Sequence, residues 1–242
     1  MKLKHITFTG IDAKTDINNL IDIQHEYPIV EFGVLTSYHW YENGNRYLNP
    51  AFLSNLYAGN GELNLALHVC GSAAHDVAAG EWHKIDDHLF GSLGLFKRIQ
   101  LNVANHKNNP EFLWIPPSKG QELIVQQRDA DNTELYNTTY DIWFGDDSPV
   151  SVLLDASGGQ GIDTPIKVLP NAGKPLKVGY AGGFNPDNVA DKLAYLIQHN
   201  EVGDFWIDME SGVRTDDWFD TDKVRRVLAI CKEVIRDLNM EG

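Results

Sequence analysis

The chain has few of the residues and segments that define several large classes of protein. Its 242 residues include only Cys70 and Cys231, which are too few for a disulfide framework and lack the spacing of metal ligands. No apolar run approaches the roughly 20 residues that a membrane helix needs. Residues 1–10 lack the apolar region of a secretory signal and are typical of a first strand. These absences predict a cytoplasmic protein without a disulfide, a metal site or a membrane anchor.

Basic residues are also scarce. The chain carries 20 Lys and Arg against 34 Asp and Glu, and its formal net charge is −14. Nucleic acids and anionic membranes bind basic surfaces, and no basic stripe runs along this sequence. We therefore expect a small molecule as the partner, with no nucleic acid and no membrane. A small anion bound by local amides and one arginine stays compatible with this charge, and the sequence leaves monomer and homodimer open.

Eight short apolar runs with β-type composition recur along the chain. They lie at residues 4–9, 29–35, 63–69, 98–102, 123–127, 150–154, 177–180 and 204–207. Their starts are about 25–35 residues apart, which is the length of a strand-helix unit. Helical patterns follow Asp16, Asn49-Pro50 and Asn185-Pro186, and a last one covers 224–235. Residues 71–94 are only patchily helical, and 105–120 and 128–149 are predicted to be loops. A (β/α)8 barrel needs about 250 residues, so we predict the α/β class, with residues 1–242 forming a single TIM barrel.

Polar residues cluster near the ends of the predicted strands. A barrel interior is usually filled with branched aliphatic side chains, and burying an unpaired polar group costs about 1–3 kcal/mol. We therefore expect these residues to form a hydrogen-bonded network or to line a pocket, although some could instead point outward beneath the helices. The set is Thr9, Glu31, His68, Cys70, Gln100, Asn102, Gln126, Asp155, Asp208 and Glu210.

Asp155 is the strongest single candidate for chemistry. It ends an apolar strand and begins a glycine-rich turn at residues 157–161. A carboxyl group at such a position is partly removed from water, which suits it to general acid or base work. The alternative is a structural carboxylate that caps the amides of the turn.

Two further features point to a binding site for an anion. Gly182 and Gly183 follow the seventh strand and precede a helix, where backbone amides and the helix N-terminus attract negative charge. Arg46 follows the second strand, and its guanidinium could pair with a carboxylate or a phosphate. A solvated or structural role is the alternative for this arginine.

Two groups of residues have a weaker resemblance to reactive or metal-binding sites. His68 and Cys70 are two residues apart, so they lie on the same side of a strand. Cys–His chemistry or metal binding is conceivable there, but no thiol cluster accompanies them. The histidines and aspartates between residues 83 and 88 form only a loose group, for which a solvated helix face is the better interpretation.

Five patches, in chain order, resemble the phosphoribosylanthranilate isomerase family. R-Y-L-N-P at residues 46–50 resembles the family's R-Y-I-S-P, and I-Q-L-N at 99–102 resembles V-Q-L-H. V-L-L-D at 152–155 with S-G-G-Q-G at 157–161 resembles the sixth strand and its G-G-x-G loop. A-G-G-F-N-P-D-N-V at 181–189 resembles the phosphate loop A/S-G-G-L-N-P-E-N-V. D-M-E-S-G-V at 208–213 resembles D-V-S-S-G-V after the eighth strand.

The resemblance implies a ribulose-phosphate-binding type of barrel with an isomerase activity in tryptophan biosynthesis. The family carries out an Amadori rearrangement of a phosphoribosylamine without a cofactor. Asp155 would be the general acid, Thr9 would stand where the family has its base, and Arg46 would contact the anthranilate carboxylate. The remaining residues implied in substrate binding are Gly159, Gly161, Gly182, Gly183, Asp208, Glu210, Ser211 and Gly212.

The chain departs from the family pattern at four positions. Thr9 replaces the cysteine base, and a threonine hydroxyl is not a base near neutral pH without strong activation. Ile162 replaces a lysine, and Asn102 replaces a histidine. Glu210 replaces a serine at the phosphate loop, where two like charges at ~4 Å repel by about 4 kcal/mol unless Glu210 turns away or pairs with Arg214.

Three functions are compatible with these residues. The first is a divergent isomerase-like barrel acting on a sugar or a sugar-phosphate-like molecule, with Asp155 as the general acid. The second is an authentic phosphoribosylanthranilate isomerase with a substitute base, for which Cys70 is one candidate. The third is a barrel that binds a small molecule without catalysis.

Overall fold

Eight parallel strands close into a barrel in chain order, in a computed structural model of the protein. The structure describes residues 3–39, 45–47, 50–58, 63–103, 120–127, 150–168, 177–201 and 203–240. The barrel strands are β1 (Leu3–Thr9), β2 (Val30–Thr36), β3 (Leu65–Cys70), β4 (Arg98–Asn102), β5 (Glu122–Gln127), β6 (Val150–Asp155), β7 (Val178–Ala181) and β8 (Phe205–Met209). β8 pairs with β1, so the cylinder is complete. The predicted α/β fold, a (β/α)8 TIM barrel, is confirmed.

Six helices accompany the barrel in the described part of the chain. They are α1 (Ile17–Glu26), α2 (Pro50–Ala58), α3 (Gly71–Ala78), α4 (Trp82–His88), α5 (Val189–His199) and α6 (Thr221–Met240). A short hairpin of β9 (Arg214–Thr215) and β10 (Trp218–Phe219) follows β8. None of these helices combines the length and the apolar character that are needed to cross a bilayer.

The predicted strands all form, with ends that differ from the prediction by at most two residues. Asp16 caps α1 as predicted, because its carboxylate accepts a hydrogen bond from the amide of Asn18. The predicted start of the next-to-last helix at Asn185-Pro186 is wrong. Asn185 and Asn188 form a turn through the bonds Asn185 N to Asn188 Oδ1 (2.9 Å) and Asp187 N to Asn185 Oδ1 (2.8 Å), and α5 begins only at Val189.

The region 71–94 is more regular than its sequence pattern, because it forms both α3 and α4. Ala73, Ala74 and Val77 bury the inner face of α3, and Ile85 buries that of α4. Small side chains give a weak periodic signal in a sequence, although they pack a helix closely against the barrel. Asn49 and the predicted loops at 105–120 and 128–149 lie outside the described residues, apart from Gly120.

Alternate residues of each strand face opposite sides of the barrel wall. One set, exemplified by Ile6, Phe8 and Phe32, joins the large apolar core beneath the helices. Cys231 of α6 belongs to this core as predicted, and burial raises the pKa of its thiol to about 12. The other set lines the interior of the barrel, where Ile124, Leu153 and Trp206 form a separate small cluster.

The amino-terminal end of the interior is closed by a buried ion cluster. Arg98 lies 2.9 Å from Glu31 and 3.2 Å from Glu122, and Thr7 donates a further hydrogen bond to Glu31. The guanidinium of Arg98 stacks over the Trp206 ring at 4.2 Å. Trp206 fits because residue 179 is glycine, since a Cβ there would lie 2.1 Å from the ring. Glu31 therefore belongs to this lower cluster, and the space above Trp206 remains for a ligand site.

Candidate active site

A cavity of about 570 Å³ opens at the carboxyl-terminal ends of the strands. This volume lies in the range of small-molecule sites, and this end of a TIM barrel is where active sites are found. The structure brings every predicted site residue to the cavity. They are Thr9, Arg46, Asp155, Gly159, Gly161, Gly182, Gly183, Asp208, Glu210, Ser211 and Gly212. Their common location follows from the parallel order of the strands, which carries distant loops to one rim.

Asp155 is held at the end of β6 by three donors. Ser157 donates both its amide (3.0 Å) and its hydroxyl (2.7 Å) to Oδ1, and Gln126 donates to Oδ2 (2.9 Å). The carboxyl group is 6% exposed and lines the cavity. The turn-capping role and a role in the cavity are therefore compatible. Ser157 was not among the predicted site residues. A serine two residues after an aspartate at a turn is nevertheless a recognisable sequence signal for this hydrogen bond.

Asp208 lies on β8, next to Thr9 of β1. The Thr9 hydroxyl donates to Asp208 Oδ1 at 2.8 Å, and both residues are buried. Gly33 makes room for this contact, since a Cβ there would lie 2.4 Å from Thr9 Oγ1. Burial raises the pKa of Asp208 to about 8, the Thr9 hydrogen bond opposes this change, and the negative charges of Glu210, Glu31 and Asp155 add to it. Asp208 thus carries a proton at neutral pH.

Arg46 is engaged by carboxylates of the protein itself. Its Nη1 donates to Glu210 at 2.8 Å, and its Nε donates to Asp217 at 2.8 Å. A longer contact of 3.4 Å reaches the hydroxyl of Ser211. Asp217 was not among the predicted residues, because only the hairpin β9–β10 brings it to this place. The guanidinium therefore forms ion pairs within the protein at the mouth of the cavity.

The suggested pairing of Glu210 with Arg214 is wrong, because Arg214 has other partners. Its Nη2 binds Asp12 at 2.9 Å, and its Nη1 donates to the carbonyl of Gly10 at 2.5 Å. Asp12 also accepts the amide of Phe219, so this buried pair fastens the β9–β10 hairpin to the loop after β1. Glu210 pairs with Arg46 instead.

His68 and Cys70 both line the cavity on β3, in different environments. Burial, followed by the charge of Arg98, lowers the pKa of His68 to about 3, so its ring is neutral. Cys70 Sγ lies 3.2 Å from the donor Asn102 Nδ2 and also makes a hydrogen bond with Tyr47. Tyr47, which lines the cavity beside Arg46, was not predicted.

The described residues contain no group of three or more His, Cys, Asp or Glu side chains that could hold a metal ion. Of the loose group on α4, His83 is exposed and His88 packs edge-on against Tyr38 with ring centroids 5.3 Å apart. Asp86 accepts the amide of Leu93. These contacts are structural, and they fit the interpretation of α4 as a partly solvated helix.

The loops after β6, β7 and β8 pack tightly on one another through their glycines. A Cβ on Gly212 would lie 1.9 Å from the carbonyl oxygen of Phe184, and one on Gly183 would lie 2.3 Å from the carbonyl of Ile162. Lys192 of α5 also holds two of these loops together, since its ammonium donates to the carbonyls of Thr164 (2.9 Å) and Gly182 (2.5 Å). Lys192 joins two loops from behind and does not line the cavity.

Comparisons with known proteins agree with this architecture. The sequence model described as N-(5'-phosphoribosyl)anthranilate (PRA) isomerase matches residues 119–229. No curated protein sequence matches the chain significantly. A solved PRA isomerase from Pyrococcus furiosus is 15% identical with a TM-score of 0.55, and the alignment covers 95% of this chain and 98% of that one. The enzyme from Thermococcus kodakaraensis is 14% identical with a TM-score of 0.52, over 94% and 98% of the two chains.

A third solved structure shares the barrel. It is a Chromobacterium violaceum protein named for spore coat polysaccharide biosynthesis, which is 12% identical with a TM-score of 0.62 over 97% of this chain and 76% of that chain. At these identities the structural likeness shows the fold, and the sequence match carries the relationship. The sequence match to the PRA isomerase model covers residues 119–229, a little under half of this chain, and the two solved PRA isomerases share its barrel fold.

Proposed function

We propose that this barrel isomerises a sugar or a sugar-phosphate-like molecule by acid-base catalysis at the rim cavity. The observation that carries the proposal is a pair of buried carboxyl groups, Asp155 and Asp208, which line one cavity in different environments. Such a pair can supply a proton at one atom of a substrate and remove a proton from another. The resemblance to the family implies that Asp155 is the general acid, and the reaction class would be an aldose-ketose type isomerisation without a cofactor.

The charges of the cavity favour a neutral or amino-substituted sugar over a phosphate ester. Arg46 is the only cationic side chain among the described residues that line the cavity, and it is already paired with Glu210 and Asp217. Glu210 stands in the loop where the resemblance implies a phosphate. A dianionic phosphate at this place would therefore meet a carboxylate without a free cation to offset it.

A second candidate function is that of the family itself, PRA isomerisation in tryptophan biosynthesis. The match over residues 119–229 favours it. Thr9 at the position of the cysteine base means that another group must act on the substrate's C2 proton. A barrel that binds a sugar without catalysis is the remaining alternative, and the experiment below separates all three.

The test is proton exchange in D₂O. Aldoses, amino sugars, aldose phosphates and PRA are incubated with the protein, and deuterium at C1 or C2 is measured by mass spectrometry. Saturable exchange that falls roughly 10²–10⁴-fold in Asp155→Asn supports catalysis. As a control, Asp87→Asn makes the same change on the exposed side of α4 and should retain exchange.

The outcomes separate the candidates. Exchange confined to PRA, together with rescue of a strain that lacks the tryptophan-pathway isomerase, favours the family activity over the broader proposal. Binding of a sugar without exchange in any member of the panel leaves a non-catalytic barrel. A single domain over residues 1–242, a cytoplasmic location, and a monomeric or homodimeric state stay predictions.

A further inference from the structure

Asp208 and Asp155 differ in the hydrogen-bonding partners that surround them, and this difference assigns their roles. Resting on the proposed function, we propose that Asp208 is the proton donor of the pair and that Asp155 is the proton acceptor. This assignment reverses the role that the resemblance implies for Asp155. It also accounts for a barrel of this kind that works without a cysteine at the end of β1.

The partners of Asp155 are donors. The amide of Ser157 can only donate, and it lies 3.0 Å from Oδ1. The Ser157 hydroxyl accepts the amide of Gly161 at 3.0 Å, so its own hydrogen is directed to Asp155 at 2.7 Å. Gln126 Nε2 donates to the other oxygen. An ionised carboxylate can accept all three of these bonds, and one acceptor position on Oδ2 then remains for a proton.

Asp208 has a single described donor, the Thr9 hydroxyl on Oδ1. No described residue donates a hydrogen bond to Oδ2, and the side chain lines the cavity, so this oxygen is available to a ligand. The charged groups that act on Asp208 are Glu210 directly after its own strand, Glu31 on β2 and Asp155 on β6. All three are carboxylates, and with burial they hold the pKa of Asp208 near 8, so the proton of the pair resides on Asp208 at neutral pH.

Most of the other titratable groups in the described lining of the cavity do not compete for this role. His68 is neutral because burial lowers its pKa to about 3, and burial raises the pKa of Tyr47. Arg46 is bound to Glu210 and Asp217. Cys70 lies on β3, where Asn102 and Tyr47 contact it, and it is the one rival that the test must include. Thr9 acts here as a positioning residue for Asp208.

The assignment gives a balanced cycle. Asp208 donates its proton to the ring oxygen, the bond from C1 to that oxygen breaks, and a lone pair of the nitrogen or oxygen on C1 forms a double bond to C1. Asp155 takes the C2 proton, the electrons of that C–H bond form C1=C2, and the π electrons of the C1=N or C1=O bond return to the nitrogen or oxygen. Asp155 then returns its proton to C1 while the 2-hydroxyl gives its proton to Asp208 and becomes the ketone. Both carboxyl groups end in their starting states.

The pH dependence of exchange distinguishes the two assignments. If Asp208 is the donor, kcat/KM falls about tenfold per pH unit above roughly pH 8 in wild type, because the carboxyl has lost its proton. If Asp208 were the base, kcat/KM would rise through the same range, and that result overturns the proposal. Asp208→Asn should lose roughly 10²–10⁴-fold in kcat/KM, with Asp87→Asn as the exposed control. Loss of exchange in Cys70→Ser with retention in Asp208→Asn also overturns it.

A second measurement needs no substrate. Carbon-13 NMR of aspartate-labelled protein should show one carboxyl carbon that titrates near pH 8 and is missing from Asp208→Asn. A resonance for Asp208 that titrates below about pH 5 would overturn the proposal, whichever sugar is active. If wild type exchanges no sugar in the panel, the proposed function fails and takes the catalytic assignment with it. If wild type exchanges and only the pH profile or the NMR result is contrary, the proposed function stands and this inference alone fails.

Discussion

At the end of β1, Thr9 occupies the position where the resemblance implies a cysteine base, and its hydroxyl donates to Asp208 at 2.8 Å. A hydroxyl in this place cannot act as a thiolate would. It can orient a neighbouring carboxyl group and lower that group's pKa from the value that burial alone would produce. In the mechanism that we propose, the proton donor therefore lies on β8, which is paired with β1 in the wall of the barrel.

The first prediction concerns the stability of Asp208→Asn. The folded protein keeps a proton on Asp208 up to about pH 8, whereas an unfolded chain releases it near pH 4. Wild-type stability therefore falls through this range, because the unfolded state binds fewer protons. The free energy of unfolding of Asp208→Asn, measured relative to that of wild type, should increase by on the order of 2–4 kcal/mol between pH 5 and pH 9. Urea unfolding at both pH values measures it, and an equal difference at the two would contradict the prediction.

The second prediction concerns Thr9→Val. Loss of the hydroxyl removes a hydrogen bond that favours the charged form of Asp208, so the pKa of Asp208 should rise above about 8. The free energy of unfolding should fall by about 1 kcal/mol, the usual contribution of one such bond. Carbon-13 titration measures the first effect and urea unfolding measures the second. Thr9→Ser keeps the hydroxyl and serves as the control, so an equal pKa change in both variants would refute the role of the hydrogen bond.

Among the elements of the fold, the lower ends of β2, β4 and β5 depend on one another through charge. Arg98 at the start of β4 is the cation for both Glu31 on β2 and Glu122 on β5. Arg98 and Glu31 are almost fully buried. Buried ion pairs therefore connect these strands at a place where most barrels have aliphatic side chains. The cluster supports Trp206, which forms the floor of the cavity region above it.

A third prediction follows for Arg98→Met. Removing the cation leaves Glu31 and Glu122 without their main partner, so the free energy of unfolding should fall by about 3–5 kcal/mol. Adding Glu31→Gln and Glu122→Gln to this variant should restore part of the lost free energy of unfolding, because these two carboxylates no longer remain buried without a cation. Arg225→Met is the matched control, since the Arg225–Glu26 pair is exposed and should contribute less than about 1 kcal/mol. Equal effects of Arg98→Met and Arg225→Met would refute the buried cluster as a source of stability.

A fourth prediction concerns the contact between the loops after β7 and β8. An alanine at residue 212 would place its Cβ 1.9 Å from the Phe184 carbonyl, so the loops must separate. Gly212→Ala should destabilise the protein by about 1–3 kcal/mol and weaken sugar binding at the cavity that Gly212 lines. Gly94→Ala is the control, because a Cβ there meets no atom within 4 Å. Unchanged binding and stability in Gly212→Ala would show that the loops do not need this close approach.

The whole molecule carries a net charge of −14, and acidic side chains also outnumber cationic ones in the described lining of the cavity. Its described lining includes three carboxyl groups, Asp155, Asp208 and Glu210, and one cationic side chain, Arg46. A fold shared with enzymes of a phosphorylated substrate is therefore combined with a poor electrostatic environment for phosphate. Fold and ligand class are separate properties of this barrel.

The fifth prediction tests this separation with inorganic phosphate. Wild-type Tm should rise no more in phosphate than in chloride of equal ionic strength, because Glu210 opposes the anion and occupies Arg46. Glu210→Ser introduces the residue of the motif that this loop resembles and partly releases Arg46, so phosphate should then stabilise the protein in a saturable way. Glu233→Ser removes the same charge from the exposed face of α6 and should show no such effect. Saturable stabilisation of wild type by phosphate would contradict the prediction.

Most of the barrel was predictable from the sequence. The eight apolar runs are largely buried, and their regular spacing with intervening helices leaves few topologies other than a closed parallel barrel. The same order implies that Asp155, Gly183 and Asp208 share one rim, which the structure shows. Local patterns failed where side chains are small or where asparagines form turns, as in α3 and before α5.

The sequence by itself determined which residues reach the rim, because strand order and direction follow from hydrophobic pattern and spacing alone. Only the tertiary structure decided what those residues do there. Arg46 binds Glu210 and Asp217, Arg214 binds Asp12, and Asp208 holds a proton, since each outcome depends on charges from distant strands meeting where little water remains. Ion pairing and side-chain pKa values depend on this poorly hydrated space. Residues from several distant segments line it, so no single segment of the sequence predicts them.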